Sequence, residues 1–151
     1  MTNTTDIFAT LASVVGYKLK YSVATDSFDI LPALLGAQNK NESIRPHMLT
    51  QSFRGEFQLR QGKWKYLDHK GSGGNKYTNA LKKYILPETA PEAEGQLYNL
   101  EKDPGETNNL YFIEEAKRKE MKALLERLKA SGRSAPKNRI PIGIDNIKAV
   151  K

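Results

Sequence analysis

Apolar positions in the first quarter of the chain follow a helical period. Between Thr5 and Gly16 they recur every three or four residues, which predicts a short amphipathic helix with Thr5 as N-cap and Gly16 as its stop. These apolar residues are Ile7, Phe8, Leu11, Val14 and Val15. From Asp29 to Gly36, a proline near the start and a glycine at the end predict one or two further helical turns. Residues 37–43 are polar and are predicted to form a loop.

From Met48 to Lys70 the period changes to two, which is typical of strands. Glycines at positions 55 and 62 divide this stretch into runs at residues 48–53, 56–61 and 64–69. Because the connections between the runs are short, they favour an antiparallel meander.

A glycine- and proline-rich stretch, residues 71–94, is predicted to be a long loop with a helical turn at residues 80–84. Residues 96–100 then predict a fourth strand. It leads to a tight turn, Asp103-Pro104-Gly105-Glu106, with proline and glycine at its centre.

The longest helix is predicted from Ile113 to Ser131, and Gly132 ends it. Its apolar face consists of Ile113, Ala116, Met121, Leu124, Leu125 and Leu128, and the pairs Glu114–Arg118 and Glu115–Lys119 support it. Together the patterns predict an α+β fold, in which a small four-stranded antiparallel sheet packs against one long C-terminal helix and is preceded by short helices.

Composition is that of a folded protein. The chain has 151 residues, of which 38% are hydrophobic and 27% are charged, which is enough for one core. It has no cysteine, which excludes disulfides, thiolate zinc sites and a cysteine nucleophile. No apolar run approaches the roughly 20 residues that a membrane span needs, and residues 1–6 lack the pattern of a signal peptide.

The net charge of +7 is unevenly distributed. Residues 37–90 and 114–151 each carry +6, whereas residues 91–113 carry −4. Basic stretches of this kind attract polyanions, which leaves a stand-alone polyanion-binding module as an alternative function.

Three local motifs have simpler interpretations than a functional site. The glycine run at residues 71–76 lacks the Gly-Lys-Ser/Thr ending of a phosphate loop. Asp68 and His69 are adjacent in a strand and point to opposite faces, which argues against a hydrolase triad, and two histidines without a carboxylate cluster make no zinc site. Trp64 and Tyr66 share a face, which fits a platform for single-stranded nucleic acid but better fits a buried core; no nucleic-acid partner is expected.

Several segments, read as strings, resemble the closing portion of sulfatases of the arylsulfatase type, and they occur in the same order. Residues 6–11 and 26–36 resemble the helix that ends the catalytic domain and the segment after it. Residues 52–67 resemble the first hairpin, with its arginine, glycine and Trp-Lys pair, and residues 71–74 resemble a glycine-rich loop. Residues 96–110, from Gln96-Leu97-Tyr98-Asn99-Leu100 through Asp103-Pro104-Gly105-Glu106 to Asn108-Asn109-Leu110, give the most specific match.

The resemblance implies the C-terminal subdomain of the alkaline-phosphatase-like sulfatase fold. Residues 1–36 would be the end of the catalytic domain, residues 37–132 the C-terminal subdomain, and residues 133–151 a basic tail. The larger α/β catalytic domain against which this region packs in the family would be the partner, and a sulfated small molecule or glycan would be the substrate of the whole enzyme. Members of the family are usually periplasmic or secreted.

The catalytic chemistry of sulfatases uses a formylglycine, made from a Cys/Ser-x-Pro-x-Arg motif, and a calcium ion held by Asp and Asn side chains. The resemblance places both in the N-terminal domain. In this chain the only Ser-x-Pro, Ser134-Ala135-Pro136, is followed by Lys137-Asn138, and Asp145-Asn146 is an isolated pair. We therefore expect no catalytic and no metal-binding residue in this chain.

A share of the substrate rim remains, for which Gln51, Ser52 and Arg54 are the candidate residues. They lie at the end of the first strand and in the turn after it, and they are able to hydrogen-bond a sulfate ester. We also expect Ile7, Phe8 and Leu11 to leave an exposed apolar patch, because their partner domain is not in this chain.

Overall fold

A computed structural model describes residues 1–39, 41–71 and 78–137. They form two compact units. Unit 1 comprises residues 1–48 with the described residues from Leu128 onward, and unit 2 comprises residues 49–127. The elements, in chain order, are helices α1 (Asp6–Val14) and α2 (Leu31–Leu34), strands β1 (Met48–Gln51), β2 (Phe57–Gln61) and β3 (Trp64–Leu67), a 3₁₀ helix (Asn79–Tyr84), strand β4 (Gln96–Asn99) and helix α3 (Glu115–Ser131).

Helix α1 ends where the sequence predicts. Gly16 has a φ of +68°, and the Tyr17 N–H donates to the Ala12 carbonyl at 2.8 Å, so the last turn closes as a Schellman motif. Its start also agrees with the prediction, since Thr5 is the N-cap residue, but the Thr5 side chain makes no capping bond. Instead the Thr5 N–H donates to Asn3 Oδ1 at 3.2 Å.

The polarity of α1 is reversed relative to an ordinary amphipathic helix. Its buried residues are Asp6, Ala9, Thr10 and Ser13. The apolar residues of the opposite face are exposed, by 54% for Ile7, 56% for Phe8 and 60% for Leu11. The exposure predicted for these three side chains is therefore confirmed.

A buried ion pair between Asp6 and Arg45 fastens unit 1. Arg45 Nε donates to Asp6 Oδ2 at 3.0 Å, and Arg45 Nη2 donates to Asp6 Oδ1 and, at 2.7 Å, to the Asp26 carbonyl. The Phe28 N–H donates to Asp6 Oδ1 at 2.9 Å, and the Phe28 ring lies 4.3 Å from the guanidinium carbon. Both charged side chains are almost fully buried. Their contacts join three segments that are distant in the sequence.

The four strands of the sheet lie in the order β1-β2-β3-β4, and β3 pairs antiparallel with both β2 and β4. Leu59 lies opposite Tyr66, which in turn lies opposite Leu97, and none of the three is more than 1% exposed. This row forms the centre of the unit 2 core. The prediction of Trp64 as a core residue is wrong, because it is only half-buried and the Lys117 ammonium lies 6.0 Å from its ring centre.

Helix α3 begins at Glu115, two residues later than predicted, and ends at Gly132 as predicted. Four of its predicted apolar positions are buried: Met121, Leu124, Leu125 and Leu128. The other two, Ile113 and Ala116, are exposed; Ile113 lies in the turn before α3, and Ala116 lies in its first turn. Glu115 pairs with Lys119 at 2.7 Å as predicted, but Arg118 approaches Glu115 instead of Glu114.

The edge strand β4 has its outer side covered by the chain that follows it. Leu110 N–H donates to the Leu97 carbonyl at 2.8 Å, and Leu97 N–H donates to Asn109 Oδ1 at 3.0 Å. Asn109 Nδ2 also donates to the Gly95 carbonyl at 3.3 Å. At Gly95 a Cβ would come within 2.5 Å of the Leu67 carbonyl oxygen, so a side chain there would push β3 and β4 apart.

The predicted α+β architecture is confirmed, including the four strands, the helical turn and the turn at Asp103, where Glu106 N–H donates to the Asp103 carbonyl at 3.2 Å. No helix in the described ranges is long and apolar enough to cross a membrane. Residues 72–77 of the glycine-rich loop and residues 138–151 of the basic tail lie outside the described residues.

Candidate functional site

The turn between β1 and β2 is organised by Ser52. The Ser52 N–H donates to the Glu56 carbonyl at 2.8 Å and the Gly55 N–H donates to the Ser52 carbonyl at 3.0 Å. The Ser52 hydroxyl oxygen accepts from the N–H groups of Arg54 and Glu56 at 3.2 and 3.3 Å. Gly55, with a φ of +84°, allows the chain to reverse here. The turn therefore holds the predicted site residues in a defined arrangement.

All three predicted residues, Gln51, Ser52 and Arg54, line one cavity of about 470 Å³. The structure thus brings the predicted residues together, while their role in substrate binding stays a prediction. The cavity is also lined by residues that the sequence did not assign to this site: Thr50, Phe53, Glu56, Gln58, Leu67, His69 and Gly71.

The two charged side chains of this cavity, Glu56 and Arg54, differ in the partners that they have. Glu56 Oε2 accepts from the Ser52 hydroxyl at 3.2 Å, and Glu56 Oε1 lies 3.9 Å from His69 Nδ1. Arg54 has its guanidinium carbon 5.4 Å from the centre of the Phe53 ring. Within the described part of the chain, no carboxylate forms an ion pair with Arg54. The site therefore offers a cation to an anionic group.

Gln51 and Phe53 differ in how firmly they are held. The Gln51 side-chain amide donates to the Gly55 carbonyl at 3.2 Å, so this side chain is bonded across the turn. The Phe53 ring is 94% exposed. Sequence reasoning missed Phe53 although a signal was present, since an aromatic residue in an otherwise polar turn is unusual.

Asp68 does not orient His69, in agreement with the rejection of a triad. The Asp68 carboxylate accepts a hydrogen bond from the Tyr66 hydroxyl at 2.8 Å. Burial, together with this carboxylate, raises the pKa of Tyr66, so the phenol remains a protonated donor. His47 is occupied elsewhere, in unit 1, where its Nε2 lies 3.2 Å from the Ser134 carbonyl and its ring meets the edge of Phe28.

A metal ion would need a cluster of suitable side-chain ligands. Among the residues that the structure describes, no group of three or more His, Asp or Glu side chains is placed to bind a metal. Hard cations such as calcium require six to eight oxygen ligands. We therefore assign no described residue to a metal ion.

The chain is similar over most of its length to known sulfatases, whereas no protein-family model matches it. It is 30% identical over 124 residues to an N-acetylgalactosamine-6-O-sulfatase of Bacteroides thetaiotaomicron, which is 82% of this chain but 22% of the relative. A solved sulfatase structure, from a study of the metabolism of multiple glycosaminoglycans by Bacteroides thetaiotaomicron, matches with a TM-score of 0.62 and 30% identity. That match covers 83% of this chain and 24% of the solved one.

The four-stranded antiparallel sheet followed by a long helix is consistent with the C-terminal subdomain of a sulfatase. The resemblance to sulfatases is confirmed by both comparisons. The chain spans only about a fifth to a quarter of the length of the proteins it matches.

Proposed function

We propose that this chain is the C-terminal portion of a sulfatase and that it serves the hydrolysis of sulfate esters only together with a sulfatase catalytic portion. In this role it contributes the rim residues Gln51, Ser52 and Arg54, while the catalytic portion contributes the nucleophile and the metal. Similarity to an N-acetylgalactosamine-6-O-sulfatase makes a 6-O-sulfated amino sugar the first substrate to test.

The observation that carries the proposal is the outward apolar face of α1. Ile7 and Leu11 are four residues apart and Phe8 and Val15 are seven apart, so they project from one side of the helix. All four are more than half exposed, and Leu34 of α2 is 66% exposed. Exposed apolar side chains in such number are typical of an interaction surface, and a sulfatase catalytic portion is the partner that the similarity supports.

The composition of the chain supports placing the chemistry elsewhere. It contains no cysteine to be converted to formylglycine, and its one Ser-x-Pro lacks the arginine of the sulfatase motif. Ser134 of that Ser-x-Pro is buried, with its N–H donated to Asp26 Oδ1 at 2.8 Å. When bound in the catalytic portion, calcium would neutralise the charge of the sulfate oxygens. Arg54 of this chain would orient the substrate through a charge-assisted hydrogen bond.

A chimera tests the proposal. The catalytic portion of the Bacteroides relative is joined to this chain in place of its own C-terminal part, and release of sulfate from a 6-O-sulfated N-acetylgalactosaminide is measured with calcium present. We expect the chimera to release sulfate and the isolated chain to release none. Turnover by the isolated chain would overturn our placement of the catalytic groups outside it.

A matched pair of variants tests the apolar face. Phe8→Asp with Leu11→Asp is expected to abolish the activity of the chimera, because charges on α1 prevent its burial against the partner. The control is Phe112→Asp, which places one such charge at an exposed phenylalanine of unit 2. If the α1 variant remains as active as this control, the face is not a docking surface. An inactive chimera with tight, salt-sensitive binding of a polyanion by the chain would favour the alternative module.

A further inference from the structure

We propose that the cavity beside the β1–β2 turn binds a sugar ring that carries an acidic group, with Phe53 as the stacking surface and Arg54 as the partner of the acid. This inference rests on the proposed function, because it names the class of substrate that the rim holds. It adds Phe53, Thr50 and Gln58 to the residues that sequence reasoning selected.

Phe53 supplies the apolar surface of the site. Its ring is 94% exposed although it lies on the wall of a concave cavity. One exposed phenylalanine alone requires no explanation, but ligand sites combine an aromatic wall with a few placed polar groups. The faces of an aromatic ring carry partial negative charge, and the C–H groups on one face of a sugar carry partial positive charge. Phe53 is therefore suited to hold such a ring flat against the turn.

Arg54 supplies the charge. Its guanidinium carbon lies 5.4 Å from the Phe53 ring centre, so an acid attached to a ring that rests on Phe53 would be within reach of the guanidinium. The carboxylate in the same cavity, Glu56, is engaged by the Ser52 hydroxyl and lies near His69, and among the described residues it does not pair with Arg54. A guanidinium binds the oxygens of sulfate or carboxylate groups through paired N–H donors.

The neutral polar groups favour a sugar over an aryl ester. Thr50 and Gln58 line the cavity, and neither side chain makes a hydrogen bond within the described part of the chain. A hydroxyl and a primary amide each donate and accept, which matches the hydroxyls of a sugar. An aryl sulfate has no hydroxyls and would leave both groups unused.

The test is a titration of the 151-residue chain, followed by NMR, with three probes: a methyl glycoside of a 6-O-sulfated N-acetylhexosamine, the same glycoside without sulfate, and phenyl sulfate. The sulfated sugar is expected to bind at millimolar concentrations, and the other two about tenfold more weakly. Phe53→Ala should weaken both sugars by the same factor of about ten, whereas Arg54→Gln should weaken only the sulfated one. Phe112→Ala, at an exposed phenylalanine that does not line the cavity, should change neither.

Three results would overturn the inference: no binding of the sulfated sugar, phenyl sulfate binding as tightly as that sugar, or unchanged sugar affinity in Phe53→Ala. If Phe53→Ala instead disrupts assembly with the catalytic portion and leaves sugar affinity intact, Phe53 is a docking residue and the inference is wrong. Its failure is distinguishable from that of the proposed function. An active chimera without sugar binding by the chain overturns the inference alone, and sugar binding with an inactive chimera overturns the proposed function alone.

Discussion

Units 1 and 2 bury different kinds of side chain. Of the nine buried polar or charged residues in the described chain, six lie in unit 1: Asp6, Thr10, Ser13, Ser27, Arg45 and Ser134. Unit 2 has at its centre the apolar row Leu59, Tyr66 and Leu97, together with Met121 and Leu125 of α3. Directional bonds between polar groups thus contribute more to unit 1, and apolar burial contributes more to unit 2.

The difference shows how a helix can be fixed while its apolar face remains available. In unit 2 the apolar side chains at the centre, from the sheet and from α3, are buried against one another. In unit 1 Asp6 and Thr10 of α1 take hydrogen bonds from the Phe28 and Ile30 N–H groups, so the helix is anchored through its polar side. Its apolar side chains contribute little to that anchoring and can serve a partner.

The largest expected effect comes from breaking the buried ion pair. Asp6→Ala leaves Arg45 charged and buried without its partner, which should cost unit 1 about 3–5 kcal/mol. Hydrogen exchange of the α1 amides should quicken accordingly. The fluorescence of Trp64, the only tryptophan, reports on unit 2 and should show an unchanged unfolding midpoint in urea. A shift of both probes by the same amount would contradict separate modes of stabilisation in the two units.

A pair of leucine substitutions compares the two kinds of surface directly. Leu125→Ala removes a fully buried side chain of α3 and should lower the free energy of unfolding by about 2–5 kcal/mol. Leu11→Ala removes a side chain that is 60% exposed and should change it by no more than about 0.5 kcal/mol. Urea titration of both variants checks this, and equal losses would show that the apolar face of α1 is covered in solution.

Acid should weaken unit 1 through Asp6. Burial disfavours its charged form, but Arg45 and the N–H groups of Phe28 and Asn3 outweigh this and lower the pKa of Asp6. The carboxylate therefore contributes stability above the unfolded-state pKa of about 3.9, and that contribution is lost as the pH falls through the lower folded-state value. In Asp6→Asn the acid-dependent loss of stability at α1, measured from hydrogen exchange of the α1 amides, should be smaller than in the native chain.

The same acid titration should affect unit 2 independently of Asp6. Burial opposes the charge of Glu88, but hydrogen bonds from the Ala90 N–H and from the Asn109 and Gln96 side chains outweigh it and lower the pKa of Glu88. The acid-induced change that Trp64 reports should therefore be the same in Asp6→Asn and in the native chain. A smaller change at Trp64 in the variant would show that Asp6 stabilises unit 2 as well.

The smallest effect is expected at an exposed pair of unit 2. Lys63 Nζ lies 2.8 Å from Glu101 Oε2, but both side chains are about half exposed or more. Solvent screens such a pair, so Glu101→Gln should leave the Trp64 unfolding midpoint unchanged within error. A clear destabilisation would mean that this unit also depends on charge pairing.

Local patterns predicted the elements because strands, turns and helix ends are encoded over a few residues. The stops at Gly16 and Gly132 and the turn at Asp103 follow from chain geometry and were predicted. The Asp6–Arg45 pair was not, because its members are 39 residues apart and no period connects them. The prediction of Trp64 as a core residue failed for a related reason. The alternation of side chains along a strand identifies the residues that share a face, but it does not show how deeply each is buried.

The candidate site likewise combines residues that are close in the sequence with one that tertiary packing brings to them. Gln51, Ser52 and Arg54 lie within four residues of one another, and their neighbourhood in one cavity follows from the hairpin. His69 enters the cavity from beyond β3, and its approach to Glu56 depends on the register of β2 against β3. That register is fixed by packing, which the sequence alone does not display.

The covered edge of β4 limits the ways in which the protein can self-associate when the apolar face of α1 has no partner. An open strand edge invites another chain to add a strand, which is a common route to aggregation. Asn109 and Leu110 satisfy the outward amide and carbonyl of Leu97, so at this point the sheet offers no template for strand addition. If concentrated samples self-associate, we expect the contact to be made by helix α1 and to be reversed by Leu11→Asp.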